Sequence, residues 1–202
     1  MERLKWNNIK LSEIREQAKE SLKYRDFNAN SKTKIYLLYL YFLPVLFSLL
    51  LLLLGLFIEK EIASYFITSI SIFAGLFFSL LFIVTDKYNV KKDNLKEIIE
   101  KEDEETQNYL KRYKNFSTFL IRQISFTIIL AIVLILSLSI VYFYPQFPQI
   151  DCYFWKFVKL VGKYLLNGII YYWIAQFAVF LIVILSNMYV MLLDDINFER
   201  NK

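Results

Sequence analysis

The amino-acid sequence predicts an all-α, polytopic membrane protein with four transmembrane helices. Of its 202 residues, 57% are hydrophobic, which is more than one water-soluble core of this size uses. Apolar runs long enough to cross a hydrocarbon layer of about 30 Å occur four times along the chain. We therefore expect one four-span membrane domain, residues 35–202, behind a cytoplasmic N-terminal segment, residues 1–34.

The N-terminal segment has the pattern of an amphipathic helix. Leu11, Ile14, Ala18 and Leu22 recur at helical spacing among Lys, Arg and Glu, which predicts a helix over about residues 11–25. Such a helix either packs on the base of its own membrane domain or lies on lipid with Trp6 as an interfacial anchor.

The first two spans are predicted at residues 35–58 and 63–84, joined by a short charged loop. Pro44 lies inside the first span and predicts a kink, because proline removes one backbone donor and crowds the preceding turn. The second span has one face of small, weakly polar side chains, separated by four, three, four and four residues. That face consists of Ser64, Thr68, Ser71, Gly75 and Ser79.

The small face of the second span allows two interpretations. Small residues let helix backbones approach closely in lipid, so the face is typical of a helix-packing seam in an oligomer. The same hydroxyl-bearing face could instead border a wet pore at the axis of that oligomer.

Between the second and third spans lies a charged cytoplasmic arm, residues 86–122. Residues 86–115 contain no Gly and no Pro, so we expect two helices that continue the spans out of the bilayer as a hairpin. Acidic residues gather near the turn, where they are either solvated or dock a basic partner. The candidate partner-binding residues of the arm are Leu95, Ile98, Glu102, Asp103, Glu104, Glu105, Tyr109, Lys111 and Arg112.

The third and fourth spans are predicted at residues 124–144 and 164–193. Between them, residues 151–163 interleave aromatic side chains with Lys, which is typical of a segment lying flat on the membrane surface. The fourth span is longer than one bilayer needs, so it must tilt or emerge. Gln176 and Asn187 lie within it, and uncharged amides in lipid usually bond across helices, so we assign both to an oligomer face. The alternative is a pore face, where the two amides would belong to a permeation or ligand site.

The distribution of Lys and Arg predicts the topology. Nine lie before the first span and nine lie between Lys87 and Arg122, whereas one and three lie in the other two loops. The positive-inside rule places both termini and the arm in the cytoplasm. In a bacterial cell the protein would therefore lie in the inner membrane as a multi-pass protein.

Most site chemistry is excluded by what the sequence lacks. The chain has no His and one Cys, and none of the predicted spans contains an acid or a Lys. We therefore expect no enzyme activity, no metal and no cofactor. A four-span subunit with a small-residue face and embedded amides is expected to form a homo-oligomer.

One segment resembles a known group of proteins. The stretch SISIFAGLFFSLLFIVTDKYNVKKDNLKEI, residues 69–98, is similar to the second span and following helix of small four-span membrane proteins of bacterial anti-phage defence, with the membrane subunit of the Kiwa system as the architectural model. The resemblance implies a homo-oligomer, with a tetramer as the guess, that works with a cytoplasmic, nucleic-acid-binding partner. It implies no direct nucleic-acid binding by this chain and assigns no role to any residue.

Three hypotheses of function follow from the sequence. The first is a sensor or scaffold whose arm recruits a cytoplasmic partner protein to the lipid bilayer. The second is a pore-forming or membrane-depolarising effector of abortive infection, with the small face lining the pore. The third, a small transporter, is disfavoured because buried charges are absent from the predicted spans.

Overall fold

The structure, a computed structural model, consists of four α-helices in the part of the chain that it describes. It describes Glu16 and residues 41–94, 104–143 and 153–200. The helices are α1, Leu43–Leu53; α2, Lys60–Asn94; α3, Glu104–Phe143; and α4, Tyr153–Arg200. The prediction of an all-α protein is confirmed.

Three of the helices are long and apolar enough to cross a membrane. The segments in question are Lys60–Asp93, Thr106–Phe143 and Leu160–Ile196. The first predicted span begins at residue 35, outside the described residues, and α1 itself has 11 residues, or about 16 Å of helix. Length and composition thus support the second, third and fourth predicted spans. The first predicted span stays a prediction.

Helix α1 ends earlier than the sequence pattern indicated. Gly55 has a positive φ of 68°, and its N–H donates to the carbonyl of Leu52 at 3.0 Å, while the N–H of Leu56 donates to that of Leu51 at 3.1 Å. These two bonds form a Schellman motif, the commonest way in which glycine ends a helix. The predicted helical boundary at residue 58 is wrong, because the left-handed Gly55 stops the helix first.

Pro44 lies in the first turn of α1, immediately after a π-helical turn at Tyr41 and Phe42. A proline costs little there, since its missing N–H would have no partner in the first turn of the α-helix. The kink predicted at Pro44 stays a prediction, because the chain before Tyr41 lies outside the described residues.

Helices α2 and α3 each continue beyond their apolar parts without a break, as the sequence indicated. They run antiparallel, because the Lys60 ammonium lies 4.8 Å from the ring centre of Tyr142 at one end and the Lys91 ammonium lies 5.1 Å from that of Tyr109 at the other. The turn expected between them falls in residues 95–103, outside the described residues.

Helix α4 contains 48 residues in one continuous run. Residues 153–163, part of the segment predicted to lie flat on the membrane surface, belong to α4 and are continuous with the fourth predicted span. Pro145 and Pro148 come after the last described residue of α3 in the sequence, and no proline follows within α4.

Helix α3 is the centre of the bundle, because it packs against both α2 and α4, while α4 also packs against α1. Phe77 of α2 meets Phe177 of α4 edge-on, with ring centres 6.2 Å apart. The buried residues of α3 recur at spacings of three and four, as one helix between two others requires. They include Thr106, Tyr109, Tyr113, Ser117, Leu120, Ile124, Ala131, Leu134 and Leu138.

Candidate functional site

Three helices meet in a charged and aromatic cluster at one end of the bundle. Lys91 of α2 forms an ion pair with Asp195 of α4, and the hydroxyl of Tyr109 on α3 donates to the same carboxylate at 2.8 Å. The Lys91 ammonium also lies 5.1 Å and 5.3 Å from the ring centres of Tyr109 and Tyr113. We name these four residues the three-helix cluster.

The cluster is largely shielded from water. The side chains of Lys91 and Asp195 are 15% and 22% exposed, and the two tyrosines are buried. A partly buried ion pair stabilises a fold only when its remaining hydrogen-bond donors and acceptors also have partners. Here the Tyr109 hydroxyl donates one such bond to Asp195. The π faces of both rings stabilise the ammonium further. The cluster therefore holds α2, α3 and α4 in one relative position.

The acid next to Asp195 has a different environment. Asp194 has one carboxylate oxygen that is buried and has no hydrogen-bond partner among the described residues. Adjacent residues point to different sides of a helix, so Asp194 does not share the contact that Asp195 makes with Lys91. No group of three His, Cys, Asp or Glu side chains that could hold a metal ion occurs within the described ranges.

A second polar contact joins α3 to α4 further along the bundle. The amide nitrogen of Asn187 donates to the side-chain oxygen of Gln123 at 2.8 Å, and Gln123 is buried. Gln176, predicted with Asn187 to lie on an oligomer face, is buried as well. Both amides of α4 thus face the interior of a single chain, and Asn187 bonds across helices within it.

At the opposite end of the bundle, polar side chains of α4 hold the segment that follows α1. The side-chain oxygen of Asn167 accepts the N–H of Ile58 at 2.8 Å, and the hydroxyl of Tyr171 donates to the carbonyl of Leu56 at 3.2 Å. Non-helical backbone near lipid needs such partners, because water is not present to supply them. This arrangement explains why the chain can leave the helix at Gly55.

Helices α1 and α4 cross closely at Gly168. The hydroxyl of Ser48 donates to the carbonyl of Gly168 at 2.8 Å, and a Cβ atom on Gly168 would lie 3.1 Å from a methyl group of Leu52. Small residues at such a crossing allow the close approach that packing in lipid needs.

We expect Gly168→Leu to loosen the crossing of α1 and α4. The added side chain must displace Leu52, and overpacking of this kind typically costs about 1–3 kcal/mol. Thermal unfolding in detergent should show a lower Tm for this variant. Gly162→Leu on the same helix is the matched control, since nothing lies within 4 Å of a Cβ atom at Gly162. Equal Tm values for the two variants would contradict the close crossing.

The small face of α2 is not covered by another described helix of the same chain. All five of its residues, Ser64, Thr68, Ser71, Gly75 and Ser79, are exposed. Three hydroxyls donate to carbonyls one turn earlier on α2 itself, at 2.7–3.3 Å, and a Cβ atom on Gly75 would have no neighbour within 4 Å. The face is therefore open to lipid, to a second copy or to water.

The predicted partner-binding residues of the arm fall into three groups. Leu95, Ile98, Glu102 and Asp103 lie outside the described residues, and Glu104 and Glu105 begin α3 without a description of their side chains. Lys111 and Arg112 are exposed on α3. Tyr109 is 1% exposed, so it belongs to the contact with α4 and does not lie on the surface of the arm.

Sequence reasoning missed the three-helix cluster because it treated the arm as a contact between α2 and α3 alone. The structure adds the end of α4, whose Asp195 covers Tyr109. The available signal was the length of the fourth apolar run, which ends in two adjacent acids. A continuous helix of that length could bring these acids to the level of the charged arm.

The fold and the cluster define a class: a helical-bundle protein of the membrane type, with three helices long and apolar enough to span a bilayer and an ion-paired cluster at one end. No protein-family model matches the chain, and comparisons with curated proteins and with solved structures give no match either.

Proposed function

We propose that this protein is a homo-oligomeric scaffold or sensor subunit of the bacterial inner membrane that recruits a cytoplasmic partner protein through its charged arm. The observation that carries the proposal is the three-helix cluster. It ties α2, α3 and α4 together beyond their most apolar parts, so the arm is a stiff projection from the membrane domain. A stiff projection loses little conformational entropy when a partner binds.

The charge distribution supports the orientation of the arm. The positive-inside rule favours the cytoplasm for the end of the bundle that holds Lys87, Lys91 and Lys92, because the loops at the other end carry few cations. Lys111 and Arg112 are exposed there, where they add positive charge to the arm. Arginine is enriched among the residues that dominate binding at protein interfaces.

The biological setting of the proposal is anti-phage defence. It rests on the resemblance of the second span and the following helix to four-span defence proteins, which implies a tetramer and a partner that binds nucleic acid. In this proposal the chain itself contacts lipid and the partner protein, and nucleic acid is bound by the partner alone.

We expect replacement of Glu102, Asp103, Glu104 and Glu105 by Ser to abolish co-purification of the partner while the oligomer stays intact. The acids supply the charge that a basic docking surface would recognise. Affinity purification from native membranes, followed by mass spectrometry, measures recovery of the partner. The matched control is the replacement of Glu59 and Glu61 by Ser at the opposite end of the bundle. Unchanged recovery from the arm variant would refute docking through the acids.

A second candidate function is favoured by one observation, the exposure of the whole small face of α2. In an oligomer this face could line a pore, as the hydroxyls of Ser71 and Ser79 border Gly75. We expect Gly75→Leu to block conductance in reconstituted vesicles, because the larger side chain would fill the axis. Phe78→Leu, on an exposed apolar position of α2, is the control. Vesicles of the native protein that stay electrically silent would remove this function.

A further inference from the structure

The contacts between helices fix the level at which α4 leaves the hydrocarbon layer. At the outer end, Lys60 lies over the ring of Tyr142, and Lys163 lies 4.2 Å from the ring centre of Phe57. Lysines over aromatic rings are typical of the membrane interface. A layer of about 30 Å corresponds to about 20 helical residues counted from these positions.

The count gives one end position on each of the three long helices. It reaches Leu80 on α2, Arg122 on α3 and Val183 on α4. The hydrogen bond between Gln123 and Asn187 places the level of Arg122 near Asn187 on α4, about one helical turn beyond Val183. The first charges of α2 after its apolar part, Asp86 and Lys87, lie only a few residues further. The part of α4 that crosses hydrocarbon therefore ends near Asn187, several residues before the predicted boundary at 193.

The last turns of α4 nevertheless present an apolar surface to the outside. Leu185, Tyr189, Leu192 and Ile196 are 58%, 64%, 45% and 60% exposed. Their spacings of four, three and four place them on one side of the helix. We name these four residues the α4 stripe. Three of them, Tyr189, Leu192 and Ile196, lie beyond Asn187, where an apolar surface in water needs a covering partner.

The α4 stripe continues the face of α4 on which α1 lies. Tyr164, Gly168 and Tyr171 contact α1 or the segment that follows it. Eleven residues make about three turns of helix, so Ile182 lies on the same side of α4 as Tyr171. That side then runs on into Leu185 and the rest of the stripe.

Helix α1 also runs in the direction that brings earlier residues of the chain to the stripe. Phe57 contacts Tyr164, whereas Ser48 contacts Gly168, so positions nearer the N-terminus lie nearer the inner end of α4. The described part begins at Tyr41, seven residues before Ser48, or about 10 Å further along. At Tyr41 the chain is therefore directed towards the inner end of α4, on the face of the stripe.

The sequence ahead of α1 holds an apolar pattern that matches the stripe. The residues from Leu11 to Leu22 number twelve, as do those from Leu185 to Ile196, and each set corresponds to about 16 Å of helix. Glu16 is helical with an exposed side chain, and its position puts it on the side opposite these four. Residues 26–34 supply nine residues of connection, which can reach up to about 30 Å.

We propose that residues 11–25 form an amphipathic helix that docks on the α4 stripe of the same molecule. The docked helix covers Tyr189, Leu192 and Ile196 on the cytoplasmic side and lies beside the three-helix cluster. The interaction is apolar burial in water between two matched stripes, and it needs neither lipid nor a second copy.

Cysteine cross-linking in native membranes tests this proposal. In a Cys152→Ala background, Ile14→Cys combined with Leu192→Cys should give a disulfide within one chain on mild oxidation, seen as a shift in monomer mobility. Glu16→Cys combined with Leu192→Cys is the matched control and should remain reduced. A dimer-sized product from Leu192→Cys alone would assign the stripe to a second copy and overturn the proposal, as would equal cross-linking of both pairs or of neither.

Labelling of Leu192→Cys with a membrane-impermeant maleimide in inverted membranes separates docking from lipid. Labelling should be low in the otherwise native chain and rise several-fold when Leu11, Ile14 and Leu22 are replaced by Glu, which cannot dock on an apolar stripe. Labelling that stays low in that variant would mean that lipid covers the stripe. Labelling that is high in both would mean that nothing covers it. Either result overturns the proposal.

Discussion

Asp195→Leu should lower the stability of the protein and loosen the end of the bundle. The substitution leaves the Lys91 ammonium in a mostly buried site and removes the acceptor of the Tyr109 hydroxyl. Removing one partner of a charged hydrogen bond costs about 1–3 kcal/mol, and more when the remaining charge cannot reach water. Chemical unfolding in detergent, followed by tryptophan fluorescence, should show the loss.

The double variant Lys91→Met with Asp195→Leu should recover much of that stability. Methionine and leucine leave no stranded charge, and replacing both members of a buried ion pair by apolar residues is often neutral or stabilising. Lys92→Met is the matched control, because Lys92 is the exposed neighbour of Lys91. If Asp195→Leu behaves like Lys92→Met, the ion pair does not hold the three helices together.

The same pair of variants links the cluster to the proposed function. Asp195→Leu should reduce recovery of the cytoplasmic partner, because the arm is then less well positioned for binding. The double variant should restore both stability and recovery. Partner recovery that is normal in Asp195→Leu despite its lower stability would separate the cluster from recruitment.

The helices of this protein could be predicted from sequence because their signal is local. Long apolar runs without proline predict membrane-length helices, and the absence of Gly and Pro in residues 86–115 predicts that α2 and α3 continue beyond them. The end of α1 was misplaced because Gly55 is followed by three more apolar residues. The apolar pattern predicted a helix that continues past Gly55, although glycine is the residue that most often ends a helix.

The cluster could not be predicted because it depends on the register between helices distant in sequence. Lys91 and Asp195 are separated by more than a hundred positions, and no spacing rule relates them. A shift of α4 by one turn would carry Asp195 about 5 Å away from Lys91. The same reasoning applies to Asn187, whose amide suits an oligomer as well as it suits the contact with Gln123 that the structure contains.

Asn167→Leu should have the largest effect of any single amide substitution in α4. The Asn167 side chain accepts the backbone N–H of Ile58 and also donates to the carbonyl of Lys163 at 2.8 Å. Leucine has a similar size, so the variant removes the acceptor without leaving a large cavity. The N–H of Ile58 then has no acceptor, in a place where lipid limits the access of water.

The expected loss of stability follows from the backbone N–H of Ile58, which is left without an acceptor. An unsatisfied buried backbone group costs about 1–3 kcal/mol, and the N–H of Ile58 cannot rotate to find another acceptor. Thermal unfolding in detergent should show a lower Tm for Asn167→Leu, and proteolysis should become faster in the segment between α1 and α2, because Asn167 holds that segment against α4.

Asn187→Leu is the matched control and should cost less than Asn167→Leu. Its partner, the Gln123 side chain, can turn to another acceptor or donor, and bonds between side chains across membrane helices contribute about 0.6 kcal/mol on average. The order of the two Tm values therefore tests whether an amide that bonds to the backbone matters more than one that bonds to another side chain. The reverse order would show that the bond from Ile58 to Asn167 is not the main contact that holds the segment after α1.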